Sequence, residues 1–162
     1  MIIGASQPRE SDTVTSQDLK TIMLQLAESI SMPNAFTNEQ IALGADGKPR
    51  SVFSPDATQC DLFGWILKLS HRHFKDMRAG RKNVGNVVSI YIDSHIRNVS
   101  GDALRLMTLG DYGPAYAARY LQQAVRFLHP IYLPVLFTYA KYFETPEEKK
   151  KRLQRAAKRQ AA

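Results

Sequence analysis

The spacing of apolar residues near the start of the chain predicts an amphipathic helix. They recur at intervals of three and four at Leu19, Ile22, Met23, Leu26 and Ile30. This period places all of them on one helical face. Thr15 and Asp18 stand in the order of a capping box, and Pro33 cannot continue a helix. The pattern therefore predicts a first helix that begins after Thr15 and ends before Pro33.

The pattern changes to that of a β-hairpin in the segment that follows. Apolar residues lie on both sides of Asp46-Gly47, between residues 41 and 53. Glycine accepts the positive φ angle that a tight hairpin turn requires, so this dipeptide favours a chain reversal. Pro49 has no N–H group to donate to a ladder and belongs at its edge.

A second helix is predicted to begin at Ser54-Pro55-Asp56, a sequence typical of a helix start. Its apolar stripe includes Cys60, Phe63, Leu67 and Phe74. Such a broad stripe is typical of a helix central to the core. Gly64 lies in the middle of this helix, where it costs stability. We expect a close crossing by another segment to compensate.

Further helices are predicted over residues 84–99, 115–128 and 133–143. A short helix after residues 100–102 is predicted to end at Leu109, and a capping box at 145–148 starts a last helix. The predicted fold class is mainly α (α+β), with about six helices around one core and a single small β-hairpin near residues 41–53. We expect a flexible lead over residues 1–14, one globular domain over 15–144 and a basic helical tail over 145–162. The tail lacks a wide apolar stripe and is expected to be mobile.

Composition narrows the class of protein further. The 162 residues suffice for one domain, and 44% of them are hydrophobic. The polar start has no apolar core typical of a signal peptide, and no segment reaches the length of a membrane helix. The single cysteine, Cys60, fits a reducing compartment. These features predict a cytoplasmic protein without a membrane segment.

The net charge of +7 is concentrated in two blocks. The basic residues of these blocks are Arg72, Lys75, Arg78, Arg81, Lys82, Lys149, Lys150, Lys151, Arg152, Arg155, Lys158 and Arg159. The remainder of the chain carries a slight excess of acidic residues. Local blocks on a near-neutral body are typical of an interaction surface. They favour binding to nucleic acid, either DNA or RNA, or to an acidic protein surface; solvated faces that aid solubility are the alternative.

Residues 19–109 resemble a known family through Ala45-Asp46-Gly47-Lys48-Pro49 and Ser54-Pro55-Asp56-Ala57, followed by Cys60 and Gly64. The family is an uncharacterised domain of bacterial and phage accessory proteins. A later segment of that family resembles Asp93 with Ser100 and Leu104. The resemblance implies a compact α+β body, and it implies no activity.

Candidate chemistry is sparse. Cys60 with His71 or His95 would be the nucleophile and base of a small enzyme, but a cysteine on an apolar stripe favours packing. His71 and His73 have no spacing typical of a zinc site, so neither a metal nor a cofactor is predicted. Asp61 and Asp93 are expected to be solvated or to cap helices. The chain is thus predicted to be a binding protein rather than an enzyme.

The last third of the chain is aromatic. Tyr112, Tyr116 and Tyr120 recur every four residues and define one helical face. Packing in the core is favoured for this face over a platform for base stacking, and a homodimer surface is a further possibility. The leading hypothesis is a non-catalytic accessory protein of a phage, plasmid or other mobile element that contacts nucleic acid or a nucleic-acid-handling complex. The alternatives are an interaction factor, such as an inhibitor of a host enzyme, and the small enzyme.

Overall fold

The computed structural model describes residues 13–75, 81–128, 132–134 and 146–161, and the mainly helical fold class is confirmed. Helix α1 (Ser16–Ile30) begins as predicted. The backbone N–H of Asp18 donates to the Thr15 hydroxyl, and the Asp18 carboxylate accepts from the Thr15 N–H at 2.9 Å. The capping box thus supplies partners for amide groups that the first turn leaves unpaired.

A strand precedes this helix, where the sequence predicted a flexible lead. Strand β1 (Thr13–Thr15) pairs antiparallel with β4 (Tyr132–Pro134). Val14 is fully buried, so Thr13 and Val14 belong to the folded body. Residues 1–12 lie outside the described ranges. Most of the helix predicted over 133–143 also lies outside them, but Leu133 and Pro134 form a strand.

The chain reverses around Asp46 and Gly47 as predicted. Gly47 has a φ of 77°, and the N–H of Arg50 donates to the carbonyl of Ala42 at 3.1 Å. The strand pairing differs in extent from the prediction, because β2 (Ala42–Leu43) pairs with β3 (Gln59–Cys60) rather than with residues 50–53.

The predicted helix start at Ser54 is wrong. Residues 54–57 form a turn, in which the N–H of Ala57 donates to the carbonyl of Ser54. The N–H of Cys60 then donates to the carbonyl of Ala35 at 3.1 Å. Since β3 directs this donor to another segment, the helix cannot begin before it. Helix α2 spans Leu62–His73.

The remaining helices follow the predicted order. Helix α3 (Arg81–Ser100) starts three residues before the predicted position 84. Helix α4 (Leu106–Leu109) leads through a 3-10 turn (Gly110–Tyr112) to α5 (Pro114–Ala124). A second 3-10 turn (Val125–Phe127) follows α5. The last helix, α6, spans Pro146–Ala161.

The core lies between α1, α2, α3 and α5. Helix α2 packs on α3 and α1, and α1 packs on α5. The largest fully buried side chains come from all four helices and from their connections, among them Ile22, Leu26, Ile66, Phe74, Ile92, Ile96, Leu109 and Leu121. Gly64 crosses the loop before β2 so closely that a Cβ atom there would overlap the carbonyl oxygen of Ile41. The close crossing predicted at Gly64 is therefore confirmed. Within the described residues, no helix combines the length and apolarity needed to cross a bilayer.

Candidate nucleic-acid interface

Helix α6 lies against the body of the protein, although the sequence predicted a mobile tail. Arg152 is only 7% exposed, and the side chain of Lys149 is 12% exposed. These two anchor residues are three positions apart and share one face of the helix. Leu153 and Ala156 lie on the same face and are partly buried. Charge pairing, rather than a wide apolar stripe, therefore holds this helix.

The first anchor contacts the N-terminus of α2. Asp61 is the N-cap of α2, and its Oδ1 accepts the N–H of Gly64 at 2.7 Å. Its Oδ2 accepts a hydrogen bond from the Nζ of Lys149 at 3.0 Å. Burial raises the pKa of Asp61, while the charge of Lys149 and the cap bond from Gly64 act in the opposite direction. The Asp61 carboxylate thus caps the start of α2 and also holds α6 against the body.

The second anchor contacts the 3-10 turn before α5. Arg152 donates through Nη1 to Oδ1 of Asp111, and the same oxygen accepts from Nδ2 of Asn38 at 2.7 Å. The side chains of Arg152 and Asp111 are 8% and 6% exposed. Removal of one partner of a buried ion pair strongly destabilises a fold, because the other charge stays buried without compensation. Asp111 therefore fixes the position of α6 along the body.

Docking directs the other basic residues of α6 outwards. The exposed basic residues of α6 are Lys150, Lys151, Arg155, Lys158 and Arg159, which we call the basic face of α6. Lys151, Arg155 and Lys158 follow each other at intervals of four and three, so they form a row along the helix. The larger basic block of the sequence is thus divided into two anchors and five outward cations.

A small cavity lies in the seam between α6 and the body. Its volume is about 70 Å³, and its walls include Leu62, Phe63, Leu106 and Met107 beside the two anchors. A cavity needs roughly 10–15 Å³ of such volume to hold one water molecule. The seam therefore has room for a few water molecules.

The first basic block lies at the opposite end of α2 from Asp61. Arg72 is in the last turn of this helix, Lys75 follows it, and both are exposed. Arg78 lies outside the described residues, and Arg81 and Lys82 occupy the first turn of α3. A helix of 12 residues is about 18 Å long. The structure therefore separates Arg72 from the Lys149 anchor by about that length.

The aromatic face beside Asp111 is not part of the core, contrary to the favoured interpretation. Tyr112 is 52% exposed and Tyr116 is 40% exposed, and their ring centroids are 5.0 Å apart. Only Tyr120 turns inwards, where its hydroxyl donates to the carbonyl of Ile96 at 3.3 Å. Two tyrosine rings are therefore presented to solvent next to the seam with α6.

The cysteine and histidines of the proposed small enzyme each have packing or hydrogen-bond contacts of their own. Cys60 is fully buried, and burial raises the pKa of its thiol to about 11. A nucleophilic cysteine needs the opposite shift. His71 stacks on Phe53, with ring centroids 4.7 Å apart, and Nε2 of His95 lies 2.7 Å from the carbonyl oxygen of Ala124. The surroundings of Cys60 suit packing rather than catalysis.

The other candidate ligands have structural partners. His73 lies 2.8 Å from Oδ1 of Asp18, and Asp93 accepts the N–H of Leu106 at 2.8 Å. Asp61 and Asp93 thus both accept backbone N–H groups near helix starts, as the sequence predicted. Across the described ranges, no group of three or more histidine, cysteine or acidic residues is arranged to hold a metal ion.

The carboxylates that dock α6 were not assigned this role from the sequence. Asp61 could be recognised as a helix cap, but no local signal connects it with Lys149, 88 residues later. Asp111 precedes an aromatic residue in a turn and has no pattern of its own. Ion pairs between residues so far apart in the sequence form only because the chain folds back on itself.

Comparison with known proteins leaves this geometry as the basis for a functional proposal. No family model, curated protein or solved structure is significantly similar to this chain.

Proposed function

We propose that this protein binds nucleic acid without catalysis, through the basic face of α6. The observation that carries the proposal is the division of charge on this helix. Lys149 and Arg152 are engaged with buried carboxylates, while Lys151, Arg155 and Lys158 form an outward row. The backbone of a nucleic acid carries phosphate groups at regular intervals. Contacts of lysine and arginine with these phosphates supply most of the non-specific affinity for nucleic acid.

Docking makes the basic face more effective than a free tail. A mobile chain loses conformational entropy when it is ordered on a partner. In α6 the backbone is already helical and its position is held by two ion pairs. Part of the conformational entropy is therefore lost during folding rather than on binding, and the cations are already in position when the partner binds.

The exposed cations Arg72 and Lys75 at the end of α2 form a second basic region, apart from the basic face of α6. Arg72 and Lys75 are about 18 Å from the Lys149 anchor, judged from the length of α2. A nucleic acid that reached both regions would need to span several nucleotides. A cytoplasmic location and an accessory role in a phage, plasmid or other mobile element stay predictions, the latter resting on the resemblance over residues 19–109.

The test is a fluorescence-anisotropy titration of the full chain with labelled single-stranded and duplex DNA and RNA at several salt concentrations. Replacement of Lys151, Arg155 and Lys158 by glutamine removes three cations from the basic face. If each contacts one phosphate, the slope of log K against log salt becomes shallower by about 2 for single strands and about 3 for duplex.

A matched control removes the same charge elsewhere. Lys20, Lys48 and Arg97 are exposed and lie on other elements, so their replacement by glutamine should leave the slope nearly unchanged. Equal losses in both triple variants would mean that net charge alone drives binding. Absence of binding at about 50 mM salt would refute the proposal and favour an acidic protein partner, including an inhibited host enzyme.

A further inference from the structure

Two aromatic side chains, Tyr112 and Tyr116, are exposed at the start of α5. Large aromatic side chains are usually buried, because they remove much apolar area from water. These two remain 52% and 40% exposed, and their rings meet at 5.0 Å with an interplanar angle of 32°. The two rings contact each other, and about half of each residue's surface is accessible to solvent.

The pair lies next to the seam at which α6 docks. Tyr112 directly follows Asp111, whose carboxylate receives Arg152. Arg155 lies about one turn beyond Arg152 and is exposed. Arg119 is also exposed and follows Tyr116 by three residues, which places it on the same side of α5. An exposed cation of α5 thus lies on the same side as Tyr116, and α6 docks at the residue before Tyr112.

We propose that this surface binds single-stranded nucleic acid, with bases stacked on Tyr112 and Tyr116 and phosphates held by Arg119 and the basic face of α6. Aromatic rings next to a basic groove are the usual arrangement for single strands, because every unpaired base offers a flat face. The bases of a duplex are already stacked on each other and cannot cover these rings. The tyrosine rings touch, so a base stacks on their outer surface rather than between them.

The inference rests on the proposed function and names its ligand more closely. The competing occupant of the tyrosine pair is a second copy of this chain, since aromatic residues are enriched at the centres of interfaces. Charge favours the nucleic acid. A two-fold contact centred on the tyrosines would bring the nearby cations of both copies, Arg119 among them, to one interface, where like charges repel.

The experiment compares labelled dT20 with a 20-base-pair duplex, using the full chain and the variants Tyr112→Ala, Tyr116→Ala and the double variant. Loss of one stacking partner should weaken dT20 binding about 5- to 150-fold, since stacking contributes roughly 1–3 kcal/mol per base. The duplex affinity and the salt slope should stay at the wild-type values. Tyr112→Phe and Tyr116→Phe should retain dT20 binding, because they keep the ring.

Phe127→Ala is the matched control, since Phe127 is 61% exposed and lies in the 3-10 turn at the other end of α5. Fluorescence of the single tryptophan, Trp65, checks that each variant is folded. Unchanged dT20 binding in the double alanine variant would overturn the inference, while loss of salt-dependent binding in the triple glutamine variant would still support the proposed function. A change from dimer to monomer in sedimentation, with dT20 binding retained, would assign the tyrosines to self-association and also overturn it.

Discussion

The ammonium group of Lys149 lies 3.0 Å from Oδ2 of Asp61, and so joins the last helix to the N-cap of α2. Arg152 makes a second such connection to Asp111. Both pairs are largely buried, and neither carboxylate is close in sequence to its cation. The position of the basic face of α6 therefore depends on two carboxylates of the body.

The variant Arg152→Ala should release α6 from the body. The buried Asp111 carboxylate keeps its hydrogen bond from the Asn38 amide but loses its cation, and breaking a buried pair costs about 3–5 kcal/mol. Limited trypsin digestion measures the release, because a detached helix rich in lysine and arginine is cut quickly. Lys151→Ala is the control, since its side chain is exposed and the change should cost less than about 0.5 kcal/mol. Equal digestion rates for the two variants would contradict docking through Arg152.

The stability of the protein should depend on pH through Asp61. Burial raises the pKa of this carboxyl above its ordinary value of 3.8, so the folded state retains the proton to a higher pH than the unfolded state. This group's contribution to stability is then fully present below 3.8 and is lost as the pH rises through the folded-state pKa. The variant Asp61→Asn keeps an acceptor for the cap but does not titrate.

Denaturant unfolding of the wild type and Asp61→Asn between about pH 3.5 and 7 measures this contribution. The stability of the wild type relative to the variant should fall as the pH rises, because only the wild type must place a charge at a buried site. A relative stability that rises with pH would show that the pairing with Lys149 outweighs burial.

Gly64→Ala should strongly destabilise the fold. The new Cβ atom would overlap the backbone oxygen of Ile41, which also accepts the N–H of Asp61 at 3.1 Å. Because backbone atoms cannot rotate away, we expect a loss of about 3 kcal/mol or more in the free energy of unfolding. Gly47→Ala is the comparison: it has a φ of 77° but no atom within 4 Å of an added Cβ. Its cost should be limited to about 1–2 kcal/mol of backbone strain. Similar losses for both variants would argue against a steric origin at Gly64.

Cys60 should be unreactive in the folded protein and should reduce stability at alkaline pH. Burial raises the pKa of the thiol from 9.0 to about 11, so the unfolded state loses this proton first. Stability should therefore fall as the pH rises through this window. Alkylation by iodoacetamide at pH 8 should follow unfolding, and the alkaline loss should be smaller in Cys60→Ala than in the wild type. Rapid alkylation of the native chain would contradict the buried, protonated thiol.

The local elements of this fold were largely predictable from the sequence. Helix α1 has both a capping box and a regular apolar period, and Asp46-Gly47 supplies a positive φ at the turn. Signals of this kind act between residues three or four apart, so they do not depend on the remainder of the fold. The same is true of the charge of α6, because the number of its cations is a property of the sequence.

The tertiary structure decided what these elements contact. Ser54 starts no helix, because the N–H of Cys60 donates to Ala35 in another segment. Tyr112 and Tyr116 have the spacing of a core face, yet the turn before α5 places them in solvent.

The tail shows the same division between sequence and structure. The sequence by itself determined that residues near the end of the chain are helical and basic. Only the fold brings Asp61 and Asp111 beside Lys149 and Arg152. The physical reason is that a buried cation must be paired, and its partner is chosen by the path of the chain through space rather than by neighbours in the sequence.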